Sequence, residues 1–476
     1  MHVDLFREIQ RLIAVDTSTA AGGAGVVALF RDMLYFGEFT VLEQSVWADG
    51  GEQSNIIGVR GELGTPGGLL LCASLRSDPP SAPETWTETL GSPLRATRRN
   101  GRIYGAGILS GKVDLLLKVV AAQRVPRAEL VRPIYLAGLF GGELSGDAGG
   151  ELLMQHPYVR PTAALVGHPT NLQLGTEHRG HQVLRWSIRR ARNIWRQSPA
   201  RAAWLVEFQG APAHATAPQF GTNAIELALN ALIPLVERGV ASVHNLSGGL
   251  AANEVPGRCS ALVLTTSEDP PTLGPHCVVS PAPETTEVSY PCNDALLQWA
   301  ALRDTFDSLL RFPPRFDGLD REDGAPATFT LGRIDTTPEG LSLVFDVRTT
   351  VEHDVEALLD ALEGHAATHG TKPGLSTVLE VVKDQSSFSM GRTEGERSIA
   401  DIARKALRKL KLPQLETECV GHTEAWILNA CGLDTLVFGA GTSAGVLGLP
   451  NEWVSENDLR LAVDLYEAII RAACCA

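Results

Sequence analysis

Twelve histidines occur in the 476 residues, but none lies between His2 and His156 and none follows His422. That gap constrains the chemistry, because zinc takes imidazole and carboxylate donors at about 2.0–2.2 Å and a paired centre needs a bridging carboxylate. Inside the gap an apolar run, LLLCASLRSDPP, leads through Ser74 and Arg76 to Asp78, and a glycine-rich segment, NGRIYGAGILSGK, leads to Ser110. Carboxylates stand nearby, but Asp78 precedes two prolines in a loop. Asp114 opens an apolar helical pattern, where an acidic first-turn residue complements the helix dipole. His168, His178 and His181 cluster in sequence and read either as a histidine-rich site or as hydrogen-bonded structural residues, the commoner state near a cleft. The turn Gly439-Ala440-Gly441 lets backbone N–H groups come close to an anionic ligand. The plain reading of Arg348 pairs it with a neighbouring acid such as Glu352.

The elements that must hold these residues follow from periodicity. Up to about Leu174, strand-like runs (SNIIGVRG, GGLLLCASL, RPIYLAGLF, AALVGHP) alternate with helical segments such as VDLLLKVVAAQRV, which predicts an α/β domain. From about Gly180 to Gly370, β patterns (ARAAWLVEFQG, RCSALVLTTS, GLSLVFDVRTT) with helices at NAIELALNALIPLVERG and HDVEALLDALEGH predict a two-layer α+β domain. After Pro373 the α/β pattern returns through LETECV, DTLVFGAG and NDLRLAVDLYEAIIRAA. The domains expected are therefore 1–179 with 374–476, and an inserted 180–373. Within the insert, residues 266–325 read as an enlargement. Its Pro-rich first half is expected as an exposed loop, and NDALLQWAALRDTFDSLLRF as a helix that packs on something.

The order of these pieces resembles the M20 family of zinc aminoacylases and peptidases, which includes acetylornithine and succinyl-diaminopimelate deacylases and carnosinase-like dipeptidases. The most specific match is GAPAHATAPQFGTNAI (210–225), which resembles the pattern Gly-x-x-Ala-His-x-x-x-Pro-x-x-Gly-x-Asn-Ala-Ile. GGLAANEVPG resembles a Gly-x-x-x-Asn-x-x-Pro loop, ALVGHPT resembles Val-Gly-Glu-Pro-Thr, and VGHTEAW, VFGAG and LPNEWV resemble three further segments. The resemblance implies a zinc-exopeptidase-like α/β domain with an inserted α+β lid or dimerisation domain. It also implies that the metal-ligand positions are Ser74, Ser110, Glu143, His168 and Gly448, that Arg76 stands where an Asp orients the first histidine, and that Gly142 holds the general-base position. Glu143 keeps a carboxylate and His168 is an altered donor; two serines and a glycine cannot replace the rest. Were Glu143 in register with the base instead, the cage would still lack its histidines.

The expectation is a catalytically degenerate homologue with no catalytic residue and no metal or other cofactor, which binds a small carboxylate or amino-acid-derived ligand, or a partner. What the resemblance retains is the substrate-holding set: His214, Asn253, Arg348, Gly439 and Gly441. The alternative is an active metal-dependent amidohydrolase, a deacylase or dipeptidase, that uses zinc in a rearranged site including Glu143 and His168.

Composition agrees with a globular chain: 44 % hydrophobic and 20 % charged residues. A formal charge of −14 with no basic run argues against nucleic acid. The opening segment MHVDLFREIQRLIAVDTST has the pattern of an amphipathic helix without a signal-peptide core. No window reaches the roughly 18 uninterrupted apolar residues of a membrane span, so no membrane partner is expected. Eight cysteines without metal-type spacing point to a reducing, cytoplasmic setting. Cys72 and Cys431 read as core residues, and Cys474 and Cys475 as exposed thiols. The oligomeric state is left open between homodimer and monomer.

Overall fold

The computed structural model describes the chain apart from residues 1–3, 49–50, 142–147, 191–199, 216–217, 284–289, 317–326, 370–373, 391–397, 420 and 444–445. Two compact units form, Met1–His178 with Phe388–Ala476, and Arg179–Ser387.

At the centre of the first unit lie four parallel strands, in the order Ile134–Leu139, Leu69–Ser74, Ala163–Gly167 and Asp434–Phe438. Such strands are covered on both faces and therefore read as unbroken apolar runs. Leu69, Leu71 and Ala73 join the core shared with helices Ala20–Phe36, Gly111–Gln123, Ile399–Lys409 and Glu456–Cys474. Leu70 and Cys72 join the opposite core with Ala148–Met154 and Ala425–Ala430. Antiparallel strands Gly51–Arg60 and Thr40–Ala48 extend one side of the sheet, and Leu174–His178 extends the other. Because the register sets Ser74 beside Leu139, and Phe438 beside Gly167, the loops that follow all leave from one edge. That edge is where open α/β sheets place ligands.

Helix Gly111–Gln123 packs against this edge and buries three polar residues, Lys112, Asp114 and Lys118. Lys118 Nζ donates to the carbonyls of Cys72 (2.8 Å) and Leu165 (3.1 Å) and lies 2.6 Å from Asp114. The Tyr466 hydroxyl donates to Asp114 as well. Asp114 thus sits in the first helical turn, as its position suggested, but its charge is spent on a buried pair that ties the helix to two strands.

The second unit is an eight-stranded antiparallel sheet in the order Cys277–Pro281, Ala202–Gln209, Arg258–Thr265, Ala241–Gly248, Thr328–Thr337, Gly340–Arg348, His181–Arg190 and Leu375–Gln385. Helices Ala224–Glu237, Asn293–Arg311 and Val355–His369 share its core. The helix expected in the enlargement is Asn293–Arg311, which buries Trp299, Leu302, Phe306 and Leu310. Trp299 and Phe306 meet Trp186 edge to face.

Three expectations are corrected. The Pro-rich stretch is not wholly loop, because Cys277–Pro281 adds an edge strand to Ala202–Gln209, a position that tolerates proline at its end. The α/β unit resumes at Phe388 and not at residue 374, because Leu375–Gln385 pairs with His181–Arg190. An edge strand carries no local signal for which sheet it will join. Finally, Cys431 is exposed, whereas Cys474 is buried where the last helix packs on the sheet and its carbonyl accepts N–H bonds from Val131 and Arg132. Among the described residues, no helix is long and apolar enough to cross a membrane.

Candidate functional site

The carboxyl ends of the parallel strands open onto a pocket of about 120 Å³ built entirely within the first unit. Ser74, Arg76 and Asp78 come from the end of Leu69–Ser74 and its loop; Gly107 and Ser110 lead into helix Gly111–Gln123. His168 follows Ala163–Gly167, His422, Thr423 and Glu424 precede Ala425–Ala430, and Gly448 and Glu452 close the wall from the C-terminal loop. Four described positions matched to metal ligands by motif order, Ser74, Ser110, His168 and Gly448, therefore surround one cavity together with Arg76. Gly142 and Glu143 lie outside the described residues.

The donor chemistry of this pocket does not fit a two-zinc centre. Ser74 Oγ donates to the Gly141 carbonyl at 3.1 Å, and Ser110 Oγ to the Gly107 carbonyl at 2.7 Å. Neither hydroxyl is a thiolate, imidazole or carboxylate. Gly448 has a φ of +70°, and a side chain there would begin 3.3 Å from Asp78 Oδ2. Among the described residues, no group of three or more His, Cys, Asp or Glu is placed to hold a metal ion. The three histidines singled out from the sequence also part company: His168 lines the pocket, His178 stacks against His422 and Phe388, and His181 belongs to the second unit.

Charge shapes the walls. Glu452 is buried and accepts the N–H groups of Leu109 (2.7 Å) and Gly107 (3.2 Å), so it holds the loop before Ser110 in place. Burial pushes its carboxyl up to about 7 despite these bonds, with Asp78 adding to the rise. Burial likewise pushes the Lys112 amine down to about 8; its Nζ donates to the Val15 carbonyl at 3.0 Å. Between the ordinary carboxylate range and pH 7, the folded chain holds a proton on Glu452 that the unfolded chain has released. Stability from this group is therefore fully present at lower pH and lost as pH rises through 7, an effect of about 3 kcal/mol if wholly realised. Comparing melting temperatures of wild type and Glu452→Gln from pH 4.5 to 7.5 tests this: the wild type is expected to lose ground to the variant as pH rises, and parallel curves would refute it.

The substrate-holding candidates are placed differently. His214 and Asn253 are brought together in the second unit, where Ala213–His214 pairs with Glu254–Val255 and the Asn253 carbonyl accepts the Ala215 N–H at 2.9 Å. Arg348 is 1 % exposed and its guanidinium grips Asp346, Nε to Oδ1 at 2.7 Å and Nη2 to Oδ2 at 3.0 Å. Its fork is committed within the fold, and to Asp346 instead of the anticipated Glu352, which faces Arg315 at 3.6 Å. The glycine turn is also structural. The Gly439 N–H donates to Thr170 Oγ1, and the carbonyls of Gly439 and Gly441 accept from Leu172 and Asn171. A Cβ at Gly439 would strike the His168 carbonyl at 2.3 Å, and one at Gly441 would strike Leu109 at 2.2 Å. Gly439 thus permits close packing of the turn on His168, and Gly441 on Leu109. Sequence reasoning had not selected His422, Glu424 or Glu452 as site residues, although VGHTEAW and LPNEWV carried them.

Comparisons agree with this architecture. The sequence pattern of Peptidase family M20/M25/M40 matches residues 79–472. Acetylornithine deacetylase of Proteus mirabilis (strain HI4320) is 26 % identical over 228 residues, 47 % of this chain and 52 % of that protein. The chain thus matches about half the length of such curated relatives. Aminoacylhistidine dipeptidase from Vibrio alginolyticus superposes with a TM-score of 0.61 at 13 % identity, covering 99 % of this chain and 97 % of its own. An M20 family metallo-carboxypeptidase from Sulfolobus solfataricus does so with 0.59 at 12 %, covering 99 % of each. At such identities the superpositions show the fold. With the family pattern spanning most of the sequence and the pocket assembled from the segments that resemble its ligand loops, the chain belongs to Peptidase family M20/M25/M40.

Proposed function

We propose that this M20 member is a pseudoenzyme that binds a small amino-acid-derived carboxylate and does not cleave amide bonds by the two-zinc route. The observation that carries the reading is the donor set of the pocket. Serines stand at 74 and 110 and glycine at 448, their hydroxyls are turned to backbone carbonyls, and Arg76 brings a cation to the same wall. Arg76 offers a carboxylate a cationic partner in a pocket that Asp78 and Glu424 also line, whereas the serines and the glycine supply no zinc donor.

A second reading keeps hydrolysis, with zinc held by His168, Glu143 and rearranged partners. One observation favours it: Glu424 and His422 line the pocket alongside His168.

Elemental analysis of the purified protein after incubation with zinc, checked by calorimetric titration, separates the two. No specific zinc binding is expected. Two ions per chain held at sub-micromolar affinity would overturn the pseudoenzyme reading and turn attention to N-acyl amino acids and dipeptides as substrates.

A further inference from the structure

Among the described residues, Arg76 is the one guanidinium in the pocket wall. Its Nη2 reaches only the Ser18 carbonyl, at 3.4 Å, and its Nε is buried with no hydrogen-bond partner. No carboxylate pairs with it among the described residues. Arg76 borders this pocket and a smaller one beside Thr17 and Thr19; with Nη2 on Ser18 and Nε enclosed, Nη1 is the guanidinium donor left for a ligand.

The same wall carries acids. Glu452 spends its oxygens on the Gly107 and Leu109 N–H groups, whereas Asp78 and Glu424 line the cavity with carboxylates that also engage other groups of the protein. A simple anion would meet Arg76 but be repelled by Asp78 and Glu424; a simple amine would meet the reverse. A ligand with both charges satisfies each wall, and the mismatch excludes either half alone. The smallest ligand that carries both charges is a free α-amino acid, which a cavity of about 120 Å³ holds.

We propose that the pocket takes a free α-amino acid, with Arg76 gripping its carboxylate while its ammonium faces Glu424 and Asp78. The proposal rests on the carboxylate-binding reading above and names its ligand class and its anchor, which is not the Arg348 expected from sequence.

The test is a thermal-shift and calorimetric series on the full-length protein. The probes are the twenty common free amino acids, then acetate and N-acetylalanine as carboxylates without an ammonium, and alaninamide as an ammonium without a carboxylate. At least one small amino acid is expected to bind the wild type, with each one-charge analogue at least tenfold weaker. Arg76→Gln is expected to weaken that amino acid at least tenfold, and Arg76→Lys, which keeps the charge but loses the fork, by less. Should no carboxylate-bearing probe bind the wild type, the carboxylate-binding reading fails and this inference with it. If a carboxylate binds and Arg76→Gln leaves its affinity unchanged, the reading stands and the assignment of Arg76 is overturned. Equal affinity for acetate or N-acetylalanine and the free amino acid overturns the two-charge ligand, and that comparison needs no variant to fold.

Discussion

Lys118→Met is expected to destabilise the first unit by about 3–5 kcal/mol, because removing one partner strands the other charge in a largely buried site. Lys118 is 0 % exposed, 2.6 Å from Asp114, and its amine also serves the carbonyls of Cys72 and Leu165. Methionine fills similar volume and supplies none of these bonds, so packing changes little while the polar cost is felt in full. Urea denaturation followed by a probe in the first unit reads the effect as a lower midpoint at unchanged slope. The double variant Lys118→Met/Asp114→Leu is expected to recover part of the loss, since a buried pair replaced as a whole costs less than a broken one. A single variant within 1 kcal/mol of wild type would show that the pair is not what binds the helix to the sheet.

Arg348→Leu is expected to cost a similar amount in the second unit, about 3–5 kcal/mol. Asp346 is fully buried between Arg348 and His181, whose Nε2 lies 2.8 Å from Oδ2. Burial alone would raise the Asp346 carboxyl, but the Arg348 guanidinium and the contact with His181, whose own imidazole burial pushes down, outweigh it and hold it below the usual carboxylate range. The wild-type contribution is therefore present above the ordinary aspartate range and lost as pH falls through the folded value. Without the guanidinium, burial prevails and Asp346 gains stability from being protonated, so the deficit of the variant is expected to be largest near neutral pH and to shrink toward pH 4. Denaturation of both proteins at pH 7, 5.5 and 4 tests this; a deficit constant with pH would mean that lost packing, not charge, explains it. A drop in ligand affinity with Arg348→Leu would then need to be separated from this loss of stability, whereas Arg76 lines the pocket itself.

Much of the architecture was legible because local pattern and tertiary role coincide. The run at Leu69–Ser74 is apolar on both faces because it lies mid-sheet, and Asn293–Arg311 shows helical spacing because one stripe of it meets the second sheet. Motif order also located Ser74, Ser110, His168 and Gly448, which do line one cavity. What failed were assignments that depend on a distant partner. Leu375–Gln385 and Cys277–Pro281 are edge strands whose sheets are set by pairing across long separations, and Cys474 is buried by a helix end that its sequence position made look frayed.

Residue types alone determined that the first 155 residues can offer no imidazole beyond His2, and that positions 74, 110 and 448 carry neither imidazole nor carboxylate; no folding event adds a donor that the chain lacks. Which cations remain for a ligand was decided only in three dimensions. Arg348 reads as the better carboxylate anchor in sequence, yet the strand carrying it sets Asp346 against its fork, while Arg76 is left in a pocket wall with only a backbone carbonyl as side-chain partner. Charge pairing falls steeply with distance and is magnified by burial, and both are properties of the packed chain.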